Sequence, residues 1–261
     1  MPILFEGTRY QYSMDGILKD NLDIAKSVIK KDWDMVFVVD GSEGSGKSVL
    51  TMQCAYFCDP TFNVDRVVFT PDDFKKTIMR AEKYQAVVYD EAYTGLSSRA
   101  TMSLINRTLI SMLAEIRQKN LFVFVVMPCF FDLDKYVALW RSRGLIHVYT
   151  DHGFKRGYFA FYNTDRKKSL YILGKKFYTY GQPKPNFHGK FTNFYPVDKD
   201  AYIQKKRDSL LGRQKIDEKA EEDKDTQHRL FQKLQENGKE LTHEVKTVSY
   251  THLTLPTILL V

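Results

Sequence analysis

The sequence predicts an α/β fold: a mainly parallel sheet covered by helices on both faces, three layers deep. Three observations predict it. Short continuous apolar runs at Met35–Asp40, Ala86–Asp90 and Leu121–Met127 have the length and β-branched content of strands buried on both faces. Between these runs lie stretches whose apolar residues recur at helical spacing, so strand and helix alternate along the chain. The first run leads directly into Gly41-Ser42-Glu43-Gly44-Ser45-Gly46-Lys47-Ser48, which fits G-x-x-x-x-G-K-[ST].

Taken in order, Leu18, Leu22, Ala25, Val28 and Ile29 give a helical period, with Asp15 placed to cap it. Met35–Asp40 is the first core strand, and a helix starts inside the glycine-rich motif and runs through Val49 to Phe57, stopping near Asp59-Pro60. Arg66–Phe69 reads as a strand. Thr70 then caps a helix that carries Pro71 in its first turn, with Phe74, Ile78 and Ala81 turned inward. The strand Ala86–Glu91 ends in Asp90-Glu91, a loop follows over Tyr93–Thr101, and a helix over Ser103–Lys119 leads to the strand Leu121–Met127. A helix is expected over Asp132–Trp140 and a strand over Leu145–Tyr149. The aromatic-rich runs at Gly153–Tyr162, Leu170–Leu173 and Phe177–Tyr180 read as antiparallel hairpin strands.

Whole-chain properties bound the function. With 261 residues, 43% of them hydrophobic, the chain can bury a real core. A net charge of +7 favours an anionic partner, nucleic acid before a membrane surface. Cys54 and Cys58 lie one helical turn apart with no second pair or nearby histidine, so they read as small core residues rather than a metal pair. The odd cysteine count and the lack of a signal peptide point to a cytoplasmic setting, that of a host cell if the chain is viral. The longest apolar run is too short to cross a bilayer.

The motif carries phosphate chemistry. Gly41, Gly44 and Gly46 let the backbone curl until its N–H groups converge on a phosphate, with Ser42, Glu43 and Ser45 between them and Val49 in the first helical turn. The helix N-terminus adds partial positive charge. Lys47 reaches the β- and γ-phosphates of ATP, and the Ser48 hydroxyl is a ligand for Mg2+. Two adjacent acids signal little alone. At the end of a buried strand downstream of a phosphate loop, Asp90 reads as the residue that positions the metal and Glu91 as the base that activates water. An adjacent glutamate suits hydrolysis rather than transfer of phosphate to a metabolite. A further strand between the loop strand and the Asp-Glu strand is expected.

Gly-Ser-Glu-Gly-Ser-Gly-Lys-Ser, Val-Val-Tyr-Asp-Glu-Ala, and Glu115-Ile-Arg-Gln-Lys-Asn120 before an apolar strand together resemble the FtsK/HerA-like division of P-loop ATPases. That division includes viral packaging motors, conjugation pumps and zonular occludens toxin-like proteins. The resemblance covers about Asp34 to Thr150. It implies a homo-oligomeric ring, hexameric, that moves DNA at the expense of ATP. Such rings need an arginine from a neighbouring subunit. Arg117, Arg141 and Arg143 are the candidates, with Arg141 and Arg143 placed near one edge of the sheet. The chain departs from the pattern at Met127-Pro128-Cys129, where a polar γ-phosphate sensor is usual, so that sensor is unassigned.

Residues 1–150 thus read as the ATPase domain and 151–197 as a β-rich appendage with a linker. In the appendage, aromatics interleave with Lys155, Arg156, Lys167, Lys168, Lys175 and Lys176, a pattern suited to nucleic acid or to a solvated small core. Residues 198–247 form a charged tail, helical or in need of a partner. Val248–Thr257 resembles the translation of a transposase adaptor used in sequencing, so 248–261 is expected to be artefact and the natural C-terminus to be missing. The leading expectation is an ATP-hydrolysing motor of viral or mobile-element origin that translocates or packages DNA. The alternatives are a nucleotide-switched factor in virion assembly or secretion, and a nucleotide kinase.

Overall fold

The computed structural model describes residues 3–4, 13–90, 98–212 and 229. Glu91, residues 92–97 and Val248–Thr257 lie outside the described residues, whereas Ser98–Thr101, expected as the end of the loop, belong to a helix. The chain divides into two units, Met1–Leu210 and Leu211–Val261, and the architecture below is that of the first.

Asp15 accepts hydrogen bonds from the Ile17 and Leu18 amides and so starts α1, Gly16–Ile29, which buries Leu18, Leu22, Ala25 and Ile29. Strand β1, Met35–Gly41, is buried along its whole length. Helix α2, Lys47–Cys58, is buried at every position from Val49 to Cys58, so it runs inside the molecule rather than along its surface. After β2, Val67–Val68, Thr70 accepts from the Asp73 amide and Pro71 occupies the first turn of α3, Pro71–Arg80. Strand β3, Ala86–Asp90, α4, Ser98–Gln118, and β4, Phe122–Val126, complete the alternating part. Lys119 donates to the carbonyls of Ile78, Met79 and Ala81 and closes the C-terminal end of α3.

The chain continues through β5, Ser142–Tyr149, β6, Tyr158–Asn163, α5, Thr164–Phe177, and β7, Phe187–Lys190. Residues 199–212 form a further helix, α6. The seven strands make one sheet in the order β2-β3-β4-β1-β5-β6-β7. Neighbours from β2 to β5 are parallel, and β6 and β7 extend the sheet in antiparallel fashion. The expected extra strand is present: β4 pairs with β1 on one side and with β3 on the other.

Alternation along each strand divides the core in two. Phe37, Val39, Val88, Phe122 and Phe124 face α1 and α2, whereas Val36, Val38, Val87, Val123 and Val125 face the layer holding α3, α4 and α5. Cys54 and Cys58 are buried in the first of these cores, and burial pushes both thiols up.

Two local readings need correction. Leu170–Leu173 is not a strand but part of α5, and Phe177 ends that helix. Asn163 caps it, and its buried residues Lys167, Leu170, Tyr171 and Gly174 follow a helical period that the dense aromatics disguise as alternation. The segment Asp132–Trp140 is not one helix. It holds a 3-10 turn, Phe130–Asp132, and a π-helical turn, Val137–Arg141, whose Ala138 carbonyl accepts from both Ser142 and the buried Lys167 ammonium.

Candidate nucleotide site

The glycine-rich loop lies at the C-terminal end of β1 and runs into α2, as its sequence requires. Gly41 has φ +138°, and a Cβ there would meet the Val148 carbonyl oxygen at 2.0 Å, so glycine lets β5 pass hard against the start of the loop. Gly46, at φ +102°, is the residue from which α2 starts, and the Phe191 ring fills the space a Cβ would need. Ser42, Glu43, Gly44 and Ser45 form the curl between them, closed by a hydrogen bond from the Ser45 amide to the Ser42 carbonyl at 3.3 Å. Lys47 folds back across the loop and donates to the carbonyls of Gly41 at 2.7 Å and Ser42 at 2.8 Å. Burial lowers its proton affinity, and the carboxylates of Asp90, Asp40 and Glu43 act in the opposite direction.

Asp90 reaches the same place from β3. The two-residue period that sends Ala86 and Val88 toward α2 sends Asp90 there as well. Its carboxylate, 2% exposed, faces a cavity of about 860 Å³. Loop residues Glu43, Gly44, Gly46, Lys47, Ser48 and Val49 form one wall of that cavity, with Pro128 beside them. Arg156, Phe191, Asn193 and Tyr195 also line it, and α6 contributes Tyr202 and Lys206. A volume of this order suits a nucleotide-sized ligand. One hydroxyl, Ser48, and one carboxylate, Asp90, make a hard oxygen donor set of the kind magnesium takes while keeping several waters. Among the described residues no three His, Cys, Asp or Glu side chains cluster as a protein-only metal cage.

The base of the loop is pinned by Asp40, which is fully buried. One carboxylate oxygen accepts from the Phe130 amide at 2.9 Å and from the Tyr180 hydroxyl, and the other meets His147 Nδ1 at 3.0 Å. The His147 and Tyr180 rings stack with centroids 3.7 Å apart. Burial, then the neighbouring Asp40 charge, raises the Tyr180 hydroxyl well above its usual range. This network ties β1, β5 and the turn after α5 together at the base of the glycine-rich loop.

Arg141 and Arg143 are not brought to the loop. In the parallel pairing of β1 with β5, Ser142 lies beside Val36 at the start of β1, whereas Val148 lies beside Gly41 at its end. Arg141 is paired with buried Asp34 at 2.6 Å, and Arg143 stacks over Trp33 at 4.8 Å, with Arg117 over the same ring at 5.3 Å. For either to serve a neighbour's site, this end of one copy must meet the loop end of the next.

The arginine that lines the cavity is Arg156, which lies beside Gly44. Along the sequence it belongs to the basic, aromatic-rich patch; Phe191, Asn193 and Tyr195 lie in the expected linker, and Tyr202 and Lys206 in the expected tail. One signal is present in the sequence: Gln53 is the one carboxamide among the apolar residues that follow Thr51 in α2, and it donates to the Thr192 and Phe194 carbonyls at 2.7 and 2.8 Å, latching that segment against α2. Of the other patch residues, Lys167 is buried, and Lys168, Lys175 and Lys176 lie against aromatic rings of Trp140, Tyr171 and Phe177.

No protein-family profile and no curated protein matches this sequence. Among solved structures, the N-terminal domain of zonular occludens toxin from Neisseria meningitidis is similar at a TM-score of 0.37 with 14% identity, over 66% of this chain and 98% of that one. A likeness so distant establishes neither family nor activity. No helix among the described residues is long and apolar enough to cross a membrane.

Proposed function

We propose that this chain is a magnesium-dependent ATPase that uses hydrolysis to move DNA as a homo-oligomeric ring. What carries the first part is one juxtaposition: the loop of Gly41–Ser48 at the end of β1, and Asp90 at the end of β3, open on a single cavity although β4 separates their strands. Loop amides and Lys47 grip the triphosphate of ATP. Ser48 and Asp90 would hold the metal, whose positive charge would offset that of the phosphates. Glu91, the next residue after Asp90, takes a proton from the attacking water. Arg156 supplies positive charge from within the same chain. The net charge of +7 and the exposed lysines of α5 support a DNA track.

The test is ATP turnover by the full chain with and without DNA, beside Glu91→Gln. The expected result is turnover that DNA accelerates, abolished in Glu91→Gln with nucleotide binding retained. Turnover that Glu91→Gln leaves intact removes that residue from its role. Turnover indifferent to DNA rejects the motor in favour of a nucleotide-switched assembly factor.

A further inference from the structure

Helix α6 brings two side chains onto the metal side of the cavity. The Tyr202 hydroxyl donates to Asp90 Oδ2 at 2.7 Å, and the Ser48 side chain hydrogen-bonds the same hydroxyl. Lys206, one turn further along, holds its ammonium 3.7 Å from that carboxylate oxygen and 3.4 Å from the Tyr202 hydroxyl. The helix therefore gives Asp90 a positive charge and a hydrogen-bond donor. A hydrated dication supplies the same two things to a carboxylate. The hydroxyl also stands between the two oxygen groups, Ser48 and Asp90, that suit magnesium. A metal and its waters on those oxygens and the tyrosine hydroxyl between them exclude one another.

We propose that α6 is a self-inhibitory strap: Tyr202 and Lys206 imitate the bound metal, hold the site shut, and are displaced when magnesium and a nucleoside triphosphate bind. This rests on the reading of the cavity as a nucleotide site. The strap has a seat of its own. Tyr202 packs against Phe69 and Tyr195 with centroids 5.9 Å from each, and Lys205 donates to the Val64 and Asp65 carbonyls at 3.0 and 3.1 Å. The Asp198 side chain accepts from the Ala201 amide and fixes the start of the helix. These contacts favour the closed state, and the apparent affinity for magnesium–nucleotide falls by the fraction of molecules that are closed. Removing the tyrosine hydroxyl weakens the closed state by one charge-assisted hydrogen bond, enough to tighten that affinity about tenfold.

The experiment titrates a fluorescent, non-hydrolysable ATP analogue into the full wild-type chain, Tyr202→Phe and Lys206→Met, each with and without magnesium. Hydrogen exchange of the α6 amides is followed in parallel. The expected result is that both variants bind the magnesium complex more tightly than wild type, Tyr202→Phe by about tenfold. Their affinity for the metal-free analogue should change less, and wild-type α6 should exchange faster once the complex is bound. Weaker binding by both variants would overturn the strap and make Tyr202 and Lys206 ligands of the nucleotide. Unchanged affinities, with α6 exchange unaltered by the ligand, overturn it while leaving the nucleotide site standing. Failure of all three proteins to bind the analogue removes the site and the strap together.

Discussion

Arg156 stands exposed at the cavity wall beside Gly44 and has no ion-pair partner among the described residues. Arg141 differs in every respect: it is mostly buried and its charge is matched by Asp34. Replacing Arg156 should therefore leave the fold intact and reach only the ligand. Arg156→Ala is expected to lower ATP turnover by about tenfold to a hundredfold, and Arg156→Lys to fall between, since lysine keeps the charge without the planar fork. Turnover and thermal unfolding measured on both variants decide it. Unchanged turnover in Arg156→Ala removes the residue from the site. At this scale the sequence was legible wherever a residue belongs to a local pattern. Gly41, Gly46, Lys47, Ser48 and Asp90 lie where motif and strand period put them. Arg156, Phe191, Tyr195 and Tyr202 were not legible, because each reaches the cavity by a tertiary path that no local spacing encodes.

The π-helical turn at Val137–Arg141 and α5 meet at Lys167, whose side chain is fully buried and donates to the Ala138 carbonyl. Burial, with smaller contributions from the Lys168 and Arg143 charges, brings its proton affinity down from 10.5 to about 7. Between those two values the unfolded chain holds a proton that the folded chain has released, so stability rises as the pH is raised from about 7 toward 10.5. Lys167→Met fills similar volume without a charge to bury. It should stabilise the fold at neutral pH by about 1–4 kcal/mol and flatten the rise toward alkaline pH. Urea unfolding at neutral and alkaline pH tests this, and lower stability at neutral pH would contradict it. Helices α1 and α3 were readable because a capping side chain and a clear apolar stripe coincide in each. Helix α5 was misread because Tyr171, Ile172, Leu173 and Phe177 scatter large apolar residues over buried and exposed faces alike, which hides the period.

At the scale of the molecule, the strand order is where sequence and structure meet most closely. Continuous apolar strands separated by helices dictate a parallel sheet with both faces covered, and β4 lies between β1 and β3 as expected. The antiparallel extension through β6 and β7 is less legible, since its two strands are separated along the chain by α5 rather than by a tight turn. The sheet sets two oxygen-bearing side chains and a glycine-rich loop around one cavity, and all the proposed chemistry depends on a triphosphate lodging there. The most direct measurement is the affinity of the full chain for ATP with magnesium, against that of Lys47→Ala. Saturable binding is expected in the wild type, weakened at least about tenfold in Lys47→Ala by the loss of a charge-assisted contact to phosphate. Equal affinity in the two proteins, or no binding in the wild type, would contradict it.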